Sequence, residues 1–183
     1  MKQTKKITVS AVCIALGVLF MALGFFIEVL DLTVAALCSC LMALVFIEVG
    51  DKYAIAVWLG TSILGLVFFT GSLVWVTYLF IFGIYPILKA YVERLKRPFW
   101  WPIKLVIFII SSLVIILISE LLLGIPFFGD TSGIPFFENH YDVFKAVVIV
   151  GLVAALCVYD VFMTVMIRVY FEKFRKRFQS LFK

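Results

Sequence analysis

Along the chain, six long apolar runs alternate with short polar breaks. The runs cover about residues 7–29, 32–49, 53–69, 73–91, 103–123 and 143–170, each close to or above the roughly 17–25 residues with which an α-helix crosses a bilayer. The breaks carry turn residues, as in Gly50 to Lys52, Thr70-Gly-Ser72 and the stretch from Arg94 to Pro102. Hairpins this tight make consecutive helices antiparallel neighbours. The pattern therefore predicts an all-α polytopic bundle of six transmembrane helices, forming one domain over residues 1–183. The sixth run is too long for a single crossing. Over residues 168–183 it alternates Arg168, Lys173 and Arg175 with Val169, Phe171 and Phe174, the pattern of a basic amphipathic helix at a membrane surface.

Composition sharpens this picture. Hydrophobic residues make up 65% of the chain and the mean hydropathy is +1.20, which excludes an ordinary soluble domain. The basic start Met1-Lys-Gln-Thr-Lys-Lys6 resembles that of a signal peptide. The run behind it is long for a signal core and lacks a small-residue cleavage site, so a retained first span is expected. Of the 16 lysines and arginines, all but Lys145 fall on one side of this topology, which puts both termini in the cytoplasm. The expected setting is a multi-pass protein of a bacterial cell (plasma) membrane. The positive charge then serves anchoring to anionic membrane lipid, and no nucleic-acid partner is expected.

Candidate chemistry is sparse. The sequence holds no HExxH, GxSxG, Walker lysine loop or Cys/His cluster, so neither an enzyme nor a cofactor is expected. Cys13, Cys38, Cys40 and Cys157 sit in apolar runs as small hydrophobes. With His140 as the single histidine, no metal site is expected. Ser111, Ser112 and Ser119 are the kind of residue that bonds to its own helix.

Charge inside the spans is the strongest local signal, because an ionisable side chain there is costly unless paired or hydrated. Asp160 lies deep in the sixth run, Lys89 ends the fourth and Glu48 ends the second. They are expected to form one cluster, with Lys89 between two carboxylates and Tyr85 one turn away from it. Its role is either a lock on helix packing or a proton or cation relay. Pro86, with Gly83 nearby, is expected to bend the fourth helix and free the carbonyl around residue 82.

The longest polar connection, residues 124–141, reads GIPFFGDTSGIPFFENHY and joins the fifth and sixth spans on the outer side. Two readings stand. The repeated Gly-Ile-Pro-Phe-Phe units are aromatic anchors in the headgroup region, or they form a lid over the outer mouth of the bundle.

With six short helices in one chain, a start of the form KKITVSAVCIALGVL carrying Ala11 and Ala15, and an aromatic loop before the last helix, the sequence resembles the S components of energy-coupling factor (ECF) vitamin transporters. The resemblance implies a substrate-binding subunit that captures a vitamin or other small micronutrient at the outer face. Such a subunit docks through Ala11 and Ala15 on a membrane coupling subunit driven by ATPases. It also implies that Phe127, Phe128, Phe136 and Phe137 belong to a lid over the ligand and that Trp75 stacks on a heterocycle; from the residues themselves, His140 on the polar rim of the loop and Glu28 and Asp31 at the outer helix ends are the polar candidates for ligand contact. The alternative is a non-transporting scaffold of a bacterial envelope or cell-shape complex. A binder requires an outer cavity, whereas a scaffold requires only a packed bundle.

Overall fold

The structure, a computed structural model, describes residues 3–27, 30–121, 124 and 141–175. Its helices are α1 (Gln3–Phe26), α2 (Asp31–Glu48), α3 (Asp51–Phe68), α4 (Leu73–Thr77), α5 (Tyr85–Val92), α6 (Trp100–Leu121) and α7 (Tyr141–Val169). A π-helical turn, Tyr78–Phe82, joins α4 to α5, and a second, Tyr170–Phe174, extends α7. Among the described residues six helical segments are long and apolar enough to cross a membrane: Gln3–Phe26, Asp31–Glu48, Asp51–Phe68, Leu73–Val92, Arg97–Leu121 and Asp142–Phe174. The architecture is that of a multi-pass membrane protein.

The turns explain the hairpins. Gly50 (φ 114°) and Gly71 (φ 93°) adopt a backbone that side-chain-bearing residues rarely take, so α2 reverses into α3 and α3 into α4 within a few residues. Ser72 caps α4 by accepting from the Val74 amide at 3.2 Å. Six alternating crossings bring the first and last helix ends to the same end of the bundle. There Lys6 lies over the Tyr53 ring, Tyr91 donates to Asp51, and Arg175 pairs with Glu48. This is the basic end of the bundle.

The fourth span lies at the centre. Of its most apolar stretch 61% is buried, against 22–39% for the other five, whose outward faces carry exposed Leu, Ile and Val suited to lipid. The main core gathers Met21, Val74, Tyr78, Phe108 and Met163 around it, and a second core of Met42, Val45, Val57 and Ile87 lies toward the basic end.

The π turn is where this central span breaks. The Gly83 amide donates to the Tyr78 carbonyl at 2.7 Å, one residue further back than in an α-helix, and the Leu79 carbonyl that it bypasses accepts from the Trp58 indole at 3.1 Å. Pro86 is the second residue of α5, where its missing amide costs nothing, and the Ile84 carbonyl takes the Ile87 and Leu88 amides at 3.1 Å each. The proline thus restarts a helix that the π turn has interrupted, and the carbonyl taken up by a side chain, that of Leu79, is the one the π turn bypasses. Trp58→Phe keeps an aromatic ring but orphans that carbonyl. It is expected to cost about 1–3 kcal/mol, read as a lowered thermal midpoint in mild detergent with helicity unchanged.

Candidate functional site

Two features stand out, an ionic centre near the basic end and a crevice in the opposite half of the bundle. The centre is built from three spans. Lys89 comes from α5, Lys104 from the first turns of α6, and Asp160 from α7; Glu93 lies just past α5, one helical turn after Lys89. Lys89 pairs with Asp160 and, at 2.9 Å, with Glu93; Lys104 pairs with the same two carboxylates, each at 2.9 Å. Each lysine therefore bridges both acids, and the four charges close a ring of alternating sign with no net charge. Tyr85 donates to Asp160, Lys89 also reaches the Thr164 hydroxyl at 2.8 Å, and that hydroxyl donates to the Asp160 carbonyl at 2.9 Å.

Burial makes this geometry consequential. Lys89, Lys104 and Asp160 are 2%, 4% and 4% exposed, so each depends on the others for the solvation it has lost. Glu93, whose side chain is 32% exposed, is the ring's outlet toward the basic end. Tyr85, Lys89 and Asp160 are thus brought together, as expected from the sequence. Glu48 is not with them: it accepts from the Tyr170 hydroxyl at 3.1 Å and pairs with Arg175 at 3.4 Å. The second carboxylate beside Lys89 is Glu93, which helical spacing already offers at i+4. Lys104 was missed because, at the start of an apolar run and after Trp100-Trp-Pro-Ile, it reads as an interfacial flank. Ser112 and Ser119 bond to their own helix, to the Phe108 and Ile116 carbonyls at 2.7 and 2.9 Å.

The crevice lies along the seam between α2 and α7. These helices touch where Ser39 and Cys40 face the Met163 sulfur at 3.5 and 3.9 Å. On the basic side of that crossing they part over an apolar groove of about 250 Å³. On the other side they part over a crevice of about 670 Å³, floored by Thr77, Ile81 and Phe82 of the central span. Its rim residues Leu32, Leu37, Val158 and Phe162 are exposed on the outer face of the bundle, so the crevice opens sideways. Tyr159 links the two features. It lines the crevice, packs edge-on against Phe82 at 4.7 Å between ring centroids and lies 5.5 Å from the Tyr85 ring, while the next residue is Asp160.

The other expected ligand contacts divide. Asp31 lines the crevice. Trp75 does not: it is buried in the main core beside Gly65 of α3, where no ligand in the crevice meets its ring. Glu28, Phe127, Phe128, Phe136, Phe137 and His140 lie outside the described residues, and so does the lid read into residues 124–141 apart from Gly124 and the backbone of Tyr141. On α1 the small residues split into two faces. Ala11 and Ala15 are exposed on the outside of the bundle, whereas Gly17 and Gly24 face inward and let Thr61 and Val74 approach closely.

Comparison of the chain with protein-family models, with curated proteins and with solved structures gave no match.

Proposed function

We propose that this protein is a membrane-embedded binding subunit for uptake of a small molecule, docking through α1 on an ATP-driven coupling module. The observation that carries the reading is the crevice between α2 and α7. At about 670 Å³ it falls within the roughly 300–1,000 Å³ of small-molecule sites, and its apolar walls with a few polar groups, Asp31, Thr33, Thr77 and Tyr159, match their usual make-up. A scaffold requires no such space. The exposed Ala11 and Ala15 on α1 give a second helix room for close approach, which is what docking on a coupling subunit requires.

Placement of the two features suits a subunit that must report its occupancy. Tyr159 contacts a ligand in the crevice, and its neighbour Asp160 holds the ionic ring near the basic end, where positive charge and the cytoplasm are expected to coincide. A tilt of α7 on ligand entry is then felt at Lys89, Lys104 and Glu93.

The test is affinity purification of the tagged protein from its own host in mild detergent, with mass spectrometry of both co-purifying subunits and small molecules. Recovery of a coupling subunit with paired ATPases and a stoichiometric small molecule is the expected result, with Ala11→Leu/Ala15→Leu losing the subunits and keeping the molecule. Recovery of envelope or cell-shape proteins, with neither ATPases nor a small molecule, would replace this reading by a scaffold.

A further inference from the structure

The geometry points to a soft-metal site where α2 and α7 cross, with Cys40, Met163 and Met166 set to hold one monovalent copper ion, Cu(I), through sulfur alone. The site lies on the basic side of the crossing, in the groove of about 250 Å³, and stands independently of the crevice and of the uptake reading.

The first argument is convergence of sulfur. Cys40 and Met163 are 123 residues apart in the chain, yet the Cys40 thiol stands 3.9 Å from the Met163 thioether. Two ligands of one ion, with metal–sulfur bonds of about 2.3 Å and an angle of about 120°, stand about 4 Å apart. A third donor, Met166, follows one helical turn after Met163 and lines the same groove. The Met163 sulfur is also 3.5 Å from the Ser39 hydroxyl, which already donates to the Ala36 carbonyl at 2.6 Å, so this sulfur is turned to the seam and is not required there as an acceptor.

Charge selects the ion. Among the described residues lining the groove none is a carboxylate or an imidazole, and Cys40 is the one thiol. Thiolate and thioether ligands favour Cu(I) over harder ions. Cu(I) on one thiolate and two neutral thioethers carries no net charge, whereas Zn²⁺ on the same ligands would leave a positive charge in apolar surroundings. Binding forms copper–sulfur bonds and transfers no electron, and the thiol proton of Cys40 leaves to water at the basic end. Access comes from the same direction. The lining continues to Tyr170 and Phe174 beyond α7, Met166 and Phe174 are 40% and 45% exposed, and Cys40 is half-buried. The basic end is expected to face the cytoplasm, whose reducing conditions keep thiols free.

The experiment is anaerobic titration of the purified protein in mild detergent with Cu(I) held by bathocuproine disulfonate, followed by copper K-edge absorption of the loaded protein. Expected is one Cu(I) per chain in a shell of sulfur only, with a raised thermal midpoint because the ion ties α2 to α7. Cys40→Ser and Met163→Leu should each weaken binding by about tenfold or more. Met166→Leu, at an exposed position, should weaken it by a smaller factor without disturbing the fold. Cys13→Ser and Cys157→Ser should bind as wild type does. The Cys40→Ser protein should keep a wild-type midpoint without copper and show no rise with it. Cu(I) held equally well by Cys40→Ser, Met163→Leu and Met166→Leu would overturn the proposal and reduce the ion to an adventitious ligand of other thiols. Failure of the wild-type protein to take Cu(I) from the competitor would overturn it as well, and so would Zn²⁺ binding to the same residues with equal affinity.

Discussion

Asp160→Asn is expected to be among the most damaging single substitutions in this chain, at about 3–5 kcal/mol, because it leaves two buried ammonium groups sharing one carboxylate. In the intact ring Asp160 and Glu93 each face both lysines, and every charge has two opposite neighbours. Removing Asp160 leaves Glu93 as the remaining partner, and its partial exposure weakens what it offers. Removing one lysine as well restores neutrality. Lys104→Met in the Asp160→Asn background should therefore recover part of the lost thermal midpoint, and Lys89→Met in the same background should do likewise, although each lysine substitution alone is destabilising. Glu93→Gln should be the mildest of the single changes. The measurement is a double-mutant cycle on thermal midpoints in one detergent. Losses that simply add across Asp160 and Lys104 would show that the two groups act independently, and the ring would then be a coincidence of position.

Why part of this ring was legible in the sequence and part was not follows from what a linear pattern records. Asp160 stands inside an unbroken apolar run, and a charge there needs an explanation wherever it points. Lys89 sits near a span end at a similar depth, and Tyr85 is one turn before it, so three members could be grouped by depth alone. Depth does not record direction around the helix axis. Glu48 shares the depth of Lys89 but faces the end of α7, where Tyr170 and Arg175 take it up. Lys104 shows the converse: its position at the beginning of a run looks interfacial, yet its side chain turns inward to Asp160.

The fold was more legible than the site. Six apolar runs gave six spans because the bilayer enforces length and internal backbone hydrogen bonding on each. Their ends shifted by a few residues: α1 starts at Gln3, before the apolar run at residue 7, and ends at Phe26. Hydropathy marks where a helix meets lipid, whereas its hydrogen bonds continue into the interface. The crevice had no sequence signature. It arises because α2 and α7 cross at Met163 and separate on both sides, and the residues that line it are the same Leu, Ala, Ile and Val that pack elsewhere. Trp75 was misread for the same reason, since an aromatic near a span end serves a core or a ligand equally well until its neighbours are known.

The break in the central span leads to the second large effect, at Gly83. A Cβ there would stand 2.5 Å from Cδ1 of Trp58 and 2.8 Å from the Tyr78 carbonyl oxygen, both well inside contact distance. Neither neighbour has a free direction. The Tyr78 carbonyl is fixed by the Gly83 amide itself at 2.7 Å, and the Trp58 ring is held by its bond to the Leu79 carbonyl at 3.1 Å. Gly83→Ala must therefore displace the indole, adding an overpacking cost of about 1–3 kcal/mol to the roughly 1–3 kcal/mol of an orphaned carbonyl. The expected loss is several kcal/mol, with much of it falling on the π turn that joins the floor of the crevice to the ionic ring. Trp58→Leu relieves the clash while incurring the orphaned carbonyl once, so Gly83→Ala combined with Trp58→Leu should cost clearly less than the sum of the two. A Gly83→Ala protein with an unchanged thermal midpoint, or a double variant whose losses are strictly additive, would mean that Trp58 does not close against Gly83 and that the π turn does not depend on the glycine.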